Sequence, residues 1–254
     1  MKYTVITGAS SGIGKAFAQH YAQKNNNLVL IARSEDKLKL MKQELEQKFG
    51  INVMPLAYDL SIANIAQTIY TKLSDNHIEV ETLINSAGVA TNGFVNDTSY
   101  ESQHNEIMLN VVSLFDLTKL FLSSMLANND GTIINVASTS AYHPIPTMAV
   151  YAASKAFVLS FSEALSAETR GTNVNVFAVS PGATDTNFFS NGGVSYGNLR
   201  TPDHVVDMTM SALEKNKISK IDGFNNYFTS MVLPRLLTRN RMVKMVYNIM
   251  MKQK

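Results

Sequence analysis

The sequence predicts an α/β fold: a single domain on a doubly wound parallel sheet with helices on both faces. Three observations carry this. Short apolar runs alternate with longer stretches whose apolar residues recur at helical spacing, and a glycine-rich turn joins the first run to the first of those stretches. The chain, 254 residues with 45% hydrophobic and 17% charged side chains, is also long enough to bury a sheet on both sides.

Tyr3 to Thr7 reads as a short buried strand, after which Ile13, Phe17, Ala18 and Tyr21 recur at helical spacing. Leu28 to Ala32 is a second strand. The helix Glu35 to Phe49 follows, with Leu38, Met41, Leu45 and Phe49 as its apolar stripe and its charges on a solvated face. The alternation continues through the strand Val53 to Tyr58, a helix from about Ser61, the strand Thr82 to Asn85, a long helix near Glu101 to Leu126 and the strand Thr132 to Val136. A helix carrying Tyr151 and Lys155 leads to the strand Val174 to Val179, and Thr201-Pro202-Asp203 restarts a helix with a cap, a first-turn proline and an early acid. Composition shows no break and the chain has no internal repeat, so residues 1–222 are read as one domain and 223–254 as an extension packing on it or on a neighbouring subunit.

The net charge of +2 gives no global bias toward nucleic acid. It is unevenly placed, since every acidic residue lies at or before Asp222, leaving the body at −4, while Arg235, Arg239, Arg241, Lys244, Lys252 and Lys254 give the extension +6. Within that extension Leu233, Leu236, Leu237, Val243, Tyr247 and Met250 fit one helical face, and Met242, Met245 and Ile249 form a second apolar patch. Packing on protein is the first reading; peripheral contact with an anionic membrane is the alternative. There are no cysteines, which excludes disulfides and thiolate chemistry, and His20, His77, His104, His143 and His204 lack metal-ligand spacing, so no metal is expected. Met1-Lys2-Tyr3 runs straight into Val5-Ile6, leaving no room for an export leader, and no stretch reaches the ~18 uninterrupted apolar residues of a membrane span. A cytoplasmic setting is the expectation.

In a doubly wound sheet, ligands bind beyond the carboxyl ends of the strands, where strand order reverses. Thr7 to Gly14, Arg33, Asp59-Leu60, Asn85 to Gly88, Ser138 and Pro181-Gly182 all follow strands, so they can converge on one ligand. Gly8, Gly12 and Gly14 let the backbone turn sharply and approach a pyrophosphate, and the helix behind them directs its amides at the anion. Ser10, Ser11 and Ile13 stand in the same turn, with Ser10 offering a hydroxyl. Tyr151 and Lys155 lie four residues apart, so on a helix they share a face, and a nearby ammonium draws the phenol's pKa down from its ordinary ~10.

Thr7-Gly8-Ala9-Ser10-Ser11-Gly12-Ile13-Gly14, Asp59-Leu60, Asn85-Ser86-Ala87-Gly88, Asn110, Ser138, Tyr151 with Lys155, and Pro181-Gly182 with Thr186 stand in the order and spacing of one family. Over roughly residues 2–222 the chain resembles the classical short-chain dehydrogenase/reductase family, of Rossmann-type fold. Ser86 departs from it, standing where the family usually has a second asparagine. The resemblance implies that Tyr151 is the general acid for carbonyl reduction, and that Lys155 assists it and holds the nicotinamide ribose. It implies also that Ser138 polarises the substrate carbonyl and that Asn110 holds a water relaying protons to Lys155.

The second strand ends in Ala32 where a carboxylate would select NAD, followed by Arg33 and Ser34 with Lys37 one turn on. This predicts NADP(H) as the preferred cofactor, with NAD(H) as the alternative. Asp59 is expected on the adenine amine with Leu60 beside it, and Asn85, Ala87 and Gly88 on the adenosine side. Pro181, Gly182, Thr184 and Thr186 are expected against the nicotinamide. Phe188, Phe189 and Tyr196, with Gly192, Gly193 and Gly197, read as a lid that completes the substrate pocket with Ser138. The expected activity is reduction of a small-molecule ketone or aldehyde, or the reverse oxidation of an alcohol, by a homodimer or homotetramer. The rival readings are a non-catalytic dinucleotide sensor or scaffold and a membrane-associated lipid carbonyl reductase.

Overall fold

Consecutive residues of a strand point to opposite faces of a sheet, so a sheet buried on both sides needs apolar residues at neighbouring positions. The computed structural model describes residues 1–186, 188 and 199–252. Among these residues the strands β1 (Lys2–Thr7), β2 (Asn27–Ala32), β3 (Val53–Ala57), β4 (Glu79–Asn85), β5 (Gly131–Val136), β6 (Val174–Ser180) and β7 (Ser219–Ile221) form one parallel sheet in the order β3-β2-β1-β4-β5-β6-β7. Val5 and Ile6 are both fully buried but in different cores, as are Ile133 and Ile134.

One face packs against α1 (Gly12–Gln23), α2 (Glu35–Phe49) and, later in the chain, α7 (Pro202–Leu213), where Phe17, Leu38 and Val205 meet Ile6, Ile134 and Phe177. The other face packs against α3 (Ile65–Asp75) and α5 (Ser113–Asn128), where Ile69, Leu117 and Phe121 meet Val5, Ile133 and Val176. Leu165 of α6 (Ala149–Glu168) joins the same core. Six of the strands and the helices of the body fall where the sequence places them. β7 does not announce itself, because it is three residues long and held by tertiary pairing with β6.

The long helix expected near Glu101 to Leu126 is α4 (Tyr100–Ile107) running through a π turn (Met108–Val112) into α5. By length and apolarity alone the 29-residue span Tyr100–Asn128 could cross a membrane. Its Leu114, Leu117, Phe121 and Met125 are instead buried within the fold.

The extension departs from the single helical face expected. It folds as α8 (Phe224–Tyr227), a π turn (Phe228–Val232) and α9 (Leu233–Leu236), breaks at Leu237, whose backbone is extended, and resumes as α10 (Arg239–Lys252). The break resets the helical phase, so Met242 and Val246 are the buried pair, while Leu236 and Tyr247 are exposed. Met242 lines a cavity with Pro234, Arg239, the segment 141–146 and the alanines 149, 152, 153 and 156 of α6.

Strand order reverses between β1 and β4, and there two backbones touch. Gly8 has a φ of +66°, and a Cβ on it would stand 2.9 Å from both N and Cα of Ala87. A Cβ on Gly14 would stand 2.4 Å from the carbonyl oxygen of Gly8, so α1 seats directly on the turn.

Candidate active site

Beyond the carboxyl ends of the central strands lies a cavity of about 580 Å³. Gly8, Ser10, Ser11, Gly12, Ile13 and Gly14 line it at the switch point, with Ala87 and Gly88 opposite. Arg33, Ser34, Lys37, Asp59 and Leu60 line the end beyond β2 and β3. Ser138, Tyr151 and Lys155 line the other end with Pro181, Gly182, Thr184, Thr186 and Phe188. β2 and β5 are three strand spacings apart, about 14 Å, so the cavity is elongated across the sheet. A larger cleft of about 790 Å³ lies behind α1, walled by Gln19, Gln23, Lys48 and Asp207, and brings together none of the predicted site residues.

Tyr151 and Lys155 sit one turn apart on α6, 4% and 5% exposed, with Nζ of Lys155 5.9 Å from the Tyr151 ring centroid. Lys155 donates to the carbonyl oxygen of Val136 at 2.8 Å. Burial lowers its pKa from 10.5 to about 8, against the opposing pull of Glu106. The Phe188 ring lies 5.7 Å from that of Tyr151, centroid to centroid. Ser138 caps the short turn Thr139–Ala141, its Oγ accepting from Ser140 N at 3.1 Å, which leaves the hydroxyl hydrogen for another acceptor.

At the opposite end Asp59 Oδ1 accepts from both N and Oγ of Ser61, at 2.9 and 2.7 Å. Burial pushes its carboxyl up, but the bonds from Ser61 and the charge of Arg33 outweigh this and hold it below the usual carboxylate range. Arg33, Ser34 and Lys37 are exposed along the rim.

Two predicted residues do other work. Asn85 lies outside the cavity lining: its amide donates to Thr118 Oγ1 and Asn135 Oδ1, at 3.1 and 2.9 Å, in a buried polar chain beneath the site. Asn110, 1% exposed, is also outside the lining, and its side chain is committed: Oδ1 accepts from Val89 N, and Nδ2 donates to Val89 O and Ser154 Oγ. It clamps the chain behind Lys155 with both amide hydrogens, and its Oδ1 keeps a second lone pair. The departure at Ser86 is absorbed by the backbone, because Thr7 Oγ1 accepts the N–H groups of both Ser86 and Ala87 at 3.0 Å.

Phe189 and Tyr196, with the glycines of the expected lid, lie outside the described residues. Among the histidines, His143 is half-buried beside the extension and His204 bonds Asp222 at 3.0 Å. Sequence reasoning passed over Glu106, which is fully buried near Lys155. Its signal was available as an acid one turn before Asn110, at the head of the apolar stretch that begins at Ile107.

The family model for short chain dehydrogenases matches residues 2–193. The chain belongs to that family. It is 30% identical over 232 residues to a 7beta-hydroxysteroid dehydrogenase of Mediterraneibacter gnavus, covering 89% of this chain and 87% of that protein. It is 33% identical over 184 residues to the very-long-chain 3-oxoacyl-CoA reductase of Rattus norvegicus, covering 71% of this chain but only 58% of that relative's length. A short-chain dehydrogenase from Sphingobium yanoikuyae, solved in complex with NADPH, superposes with a TM-score of 0.84 at 27% identity, over 93% of this chain and 94% of the other. The short-chain dehydrogenase fold, one domain on a doubly wound sheet, is therefore shown by sequence and by architecture together.

Proposed function

We propose that the chain is an oxidoreductase interconverting a carbonyl and an alcohol with NADP(H), NAD(H) being the weaker alternative. One observation carries the reading: a buried Tyr151 and Lys155 close one end of the same elongated cavity whose other end presents Arg33 and Lys37. The cavity suits a dinucleotide in its details. Gly8 lets the first turn approach closely, and a Cβ at Gly88 would intrude to 3.2 Å from Asn110 Oδ1 and 3.5 Å from Lys155 Nζ. The exposed guanidinium of Arg33 and the neighbouring Ser10, Ser34 and Lys37 suit a ribose phosphate better than free hydroxyls.

The bound dinucleotide would supply or take up the hydride. The chain's own residues then handle one proton. In reduction Tyr151 gives its phenolic proton to the substrate oxygen while the Ser138 hydroxyl donates a hydrogen bond to it, stabilising the charge that develops there. Lys155, fixed by Val136, stabilises the phenolate that transfer leaves. In the oxidative direction the same phenolate is the base. Phe188 supplies an apolar wall against Tyr151 for the substrate. Asp59 would accept from the adenine amine with Leu60 beside it, and Pro181 to Thr186 would border the nicotinamide.

The test is an NADPH-oxidation screen over aldehydes, ketones, β-keto esters, steroids and 3-oxoacyl thioesters, the last two suggested by the relatives. Consumption that disappears in Tyr151→Phe supports the reading. Tight NADPH binding without consumption across the panel transfers support to the sensor or scaffold.

We also propose a homo-oligomer in a cytoplasmic setting. Phe115 and Phe157, 41% and 37% exposed, both pack against Phe161, and an aromatic patch of this kind on α5 and α6 suits a second copy of the chain. A second reading, membrane association, is favoured by Phe224 and Leu236, 81% and 72% exposed, in an extension without acidic residues beyond Asp222. Salt-reversible pelleting with anionic vesicles would select it; the cytoplasmic reading expects the chain to stay in the supernatant.

A further inference from the structure

Glu106 is fully buried at the end of α4, and the reaction proposed above leaves it without a role. Its Oε2 accepts from Thr91 N at 3.0 Å and Thr91 Oγ1 at 2.6 Å. Its Oε1, also buried, has no hydrogen-bond partner among the described residues. Four residues on, within the π turn, Asn110 grips Val89 in the same segment through two bonds. Gly88, which begins that segment, stands between Asn110 Oδ1 and Lys155 Nζ. Glu106, Asn110 and Lys155 are thus gathered around residues 88–91, which wall the cavity at Gly88, Val89 and Ala90.

A carboxylate with one unpaired oxygen in the interior is costly, and so is a buried ammonium. Each is the other's remedy. Lys155 is the cation that acts on Glu106, and Glu106 is the charge that acts on Lys155. Among the described residues Tyr151 shares the helix of Lys155, β5 presents the neutral Val136 carbonyl, and the π turn brings the neutral Asn110 amide to Gly88 beside it.

We propose that Glu106 is a positioning residue that keeps Lys155 protonated within the site, acting through the lysine and touching neither substrate nor cofactor. This rests on the reading of Lys155 as a cationic member of the site. The carboxylate also anchors Thr91, so charge and packing must be separated by experiment.

Glu106→Gln preserves the shape and an acceptor for Thr91 while removing the charge. NADPH affinity, measured by fluorescence titration across pH, should fall on the alkaline side as Lys155 loses its proton. In E106Q that fall should come about one pH unit or more lower, the size expected for loss of a nearby opposite charge. Glu106→Asp, which keeps the charge but disturbs packing, should leave the alkaline fall near that of the unaltered protein. An E106Q curve that coincides with the unaltered one, or an equal shift in both variants, overturns the proposal. A second measurement avoids dependence on E106Q folding. Infrared pH titration of the cofactor-free protein should show one buried carboxyl taking up its proton about one unit or more higher in Lys155→Met than in the unaltered chain. An unmoved carboxyl overturns the proposal. Neither readout requires turnover, so an empty substrate screen would count against the proposed reaction and leave this test intact.

Discussion

Lys155 Nζ donates to the carbonyl oxygen of Val136, the last residue of β5, at 2.8 Å, although the lysine is 5% exposed. One backbone acceptor and the Glu106 carboxylate do not replace the water an ammonium has in the unfolded chain, and burial accordingly lowers its pKa from 10.5 to about 8. The unfolded state holds more protons between those two values, so stability rises with pH from about 8 to 10.5, and the cost is felt in full below that window.

Lys155→Met should therefore stabilise the cofactor-free protein at neutral pH while damaging NADPH binding. A gain of about 1–3 kcal/mol is expected, the upper end being the whole cost of the shift and the lower end allowing for the lost Val136 bond. Urea unfolding at pH 7 and pH 10 checks both size and sign, since the advantage should shrink at the higher pH.

Tyr151→Phe removes the proton donor but keeps the ring that packs on Phe188. Turnover on any substrate found by the NADPH screen should drop by about 10²–10⁴ or more, with NADPH affinity within a fewfold of the unaltered value. Stopped-flow turnover and fluorescence titration measure the two separately.

Arg33→Ala should weaken NADPH binding about ten- to a hundredfold, as loss of a charge-assisted contact worth ~1.5–3 kcal/mol requires. NADH affinity should hardly change. Parallel titrations with both nucleotides read the difference.

Thr147 has a φ of +70°, is 5% exposed, and buries an Oγ1 that has no hydrogen-bond partner among the described residues. A β-branched side chain is strained in that conformation. Its carbonyl still accepts from Gly93 N at 2.8 Å, a bond that glycine would retain. Thr147→Gly is expected to stabilise the fold by about 1 kcal/mol, or ~2–4 °C in Tm for a domain of this size, as calorimetry would register.

Phe157→Glu should place a charge in the Phe115–Phe161–Phe157 patch and shift the chain toward monomer. Analytical ultracentrifugation would show the change in mass, and an unaltered mass would mean that copies meet elsewhere.

What the sequence made legible was local. The alternation of Val5 with Ile6 and Ile133 with Ile134, the glycine turn before α1, and the spacing of Tyr151 and Lys155 all express their geometry within a few neighbouring residues. What was not legible depends on partners far along the chain. Asn85 reads as a ligand-facing amide until Thr118 and Asn135 are seen to take its hydrogens. Asn110 is committed by Val89 and Ser154, and β7 exists because β6 pairs with it. In the extension, the break at Leu237 removes the phase on which a single-face reading depends.

The π turn Met108–Val112 makes the helix Tyr100–Asn128 a splice of two registers. Downstream of it, Leu117 and Phe121 are anchored in the sheet's core; upstream, Glu106 grips Thr91. A π turn holds more residues than the α turn it replaces, so it absorbs one extra residue locally, and removing one there would let the helix close into uniform geometry with the facing of its two halves nearly kept. Elsewhere along the helix a single deletion rotates everything upstream by about 100° and would take Glu106 away from Thr91. Comparison with relatives must therefore allow one residue fewer between Glu106 and Leu117 where the helix is uniform, with the same side chains still facing the site.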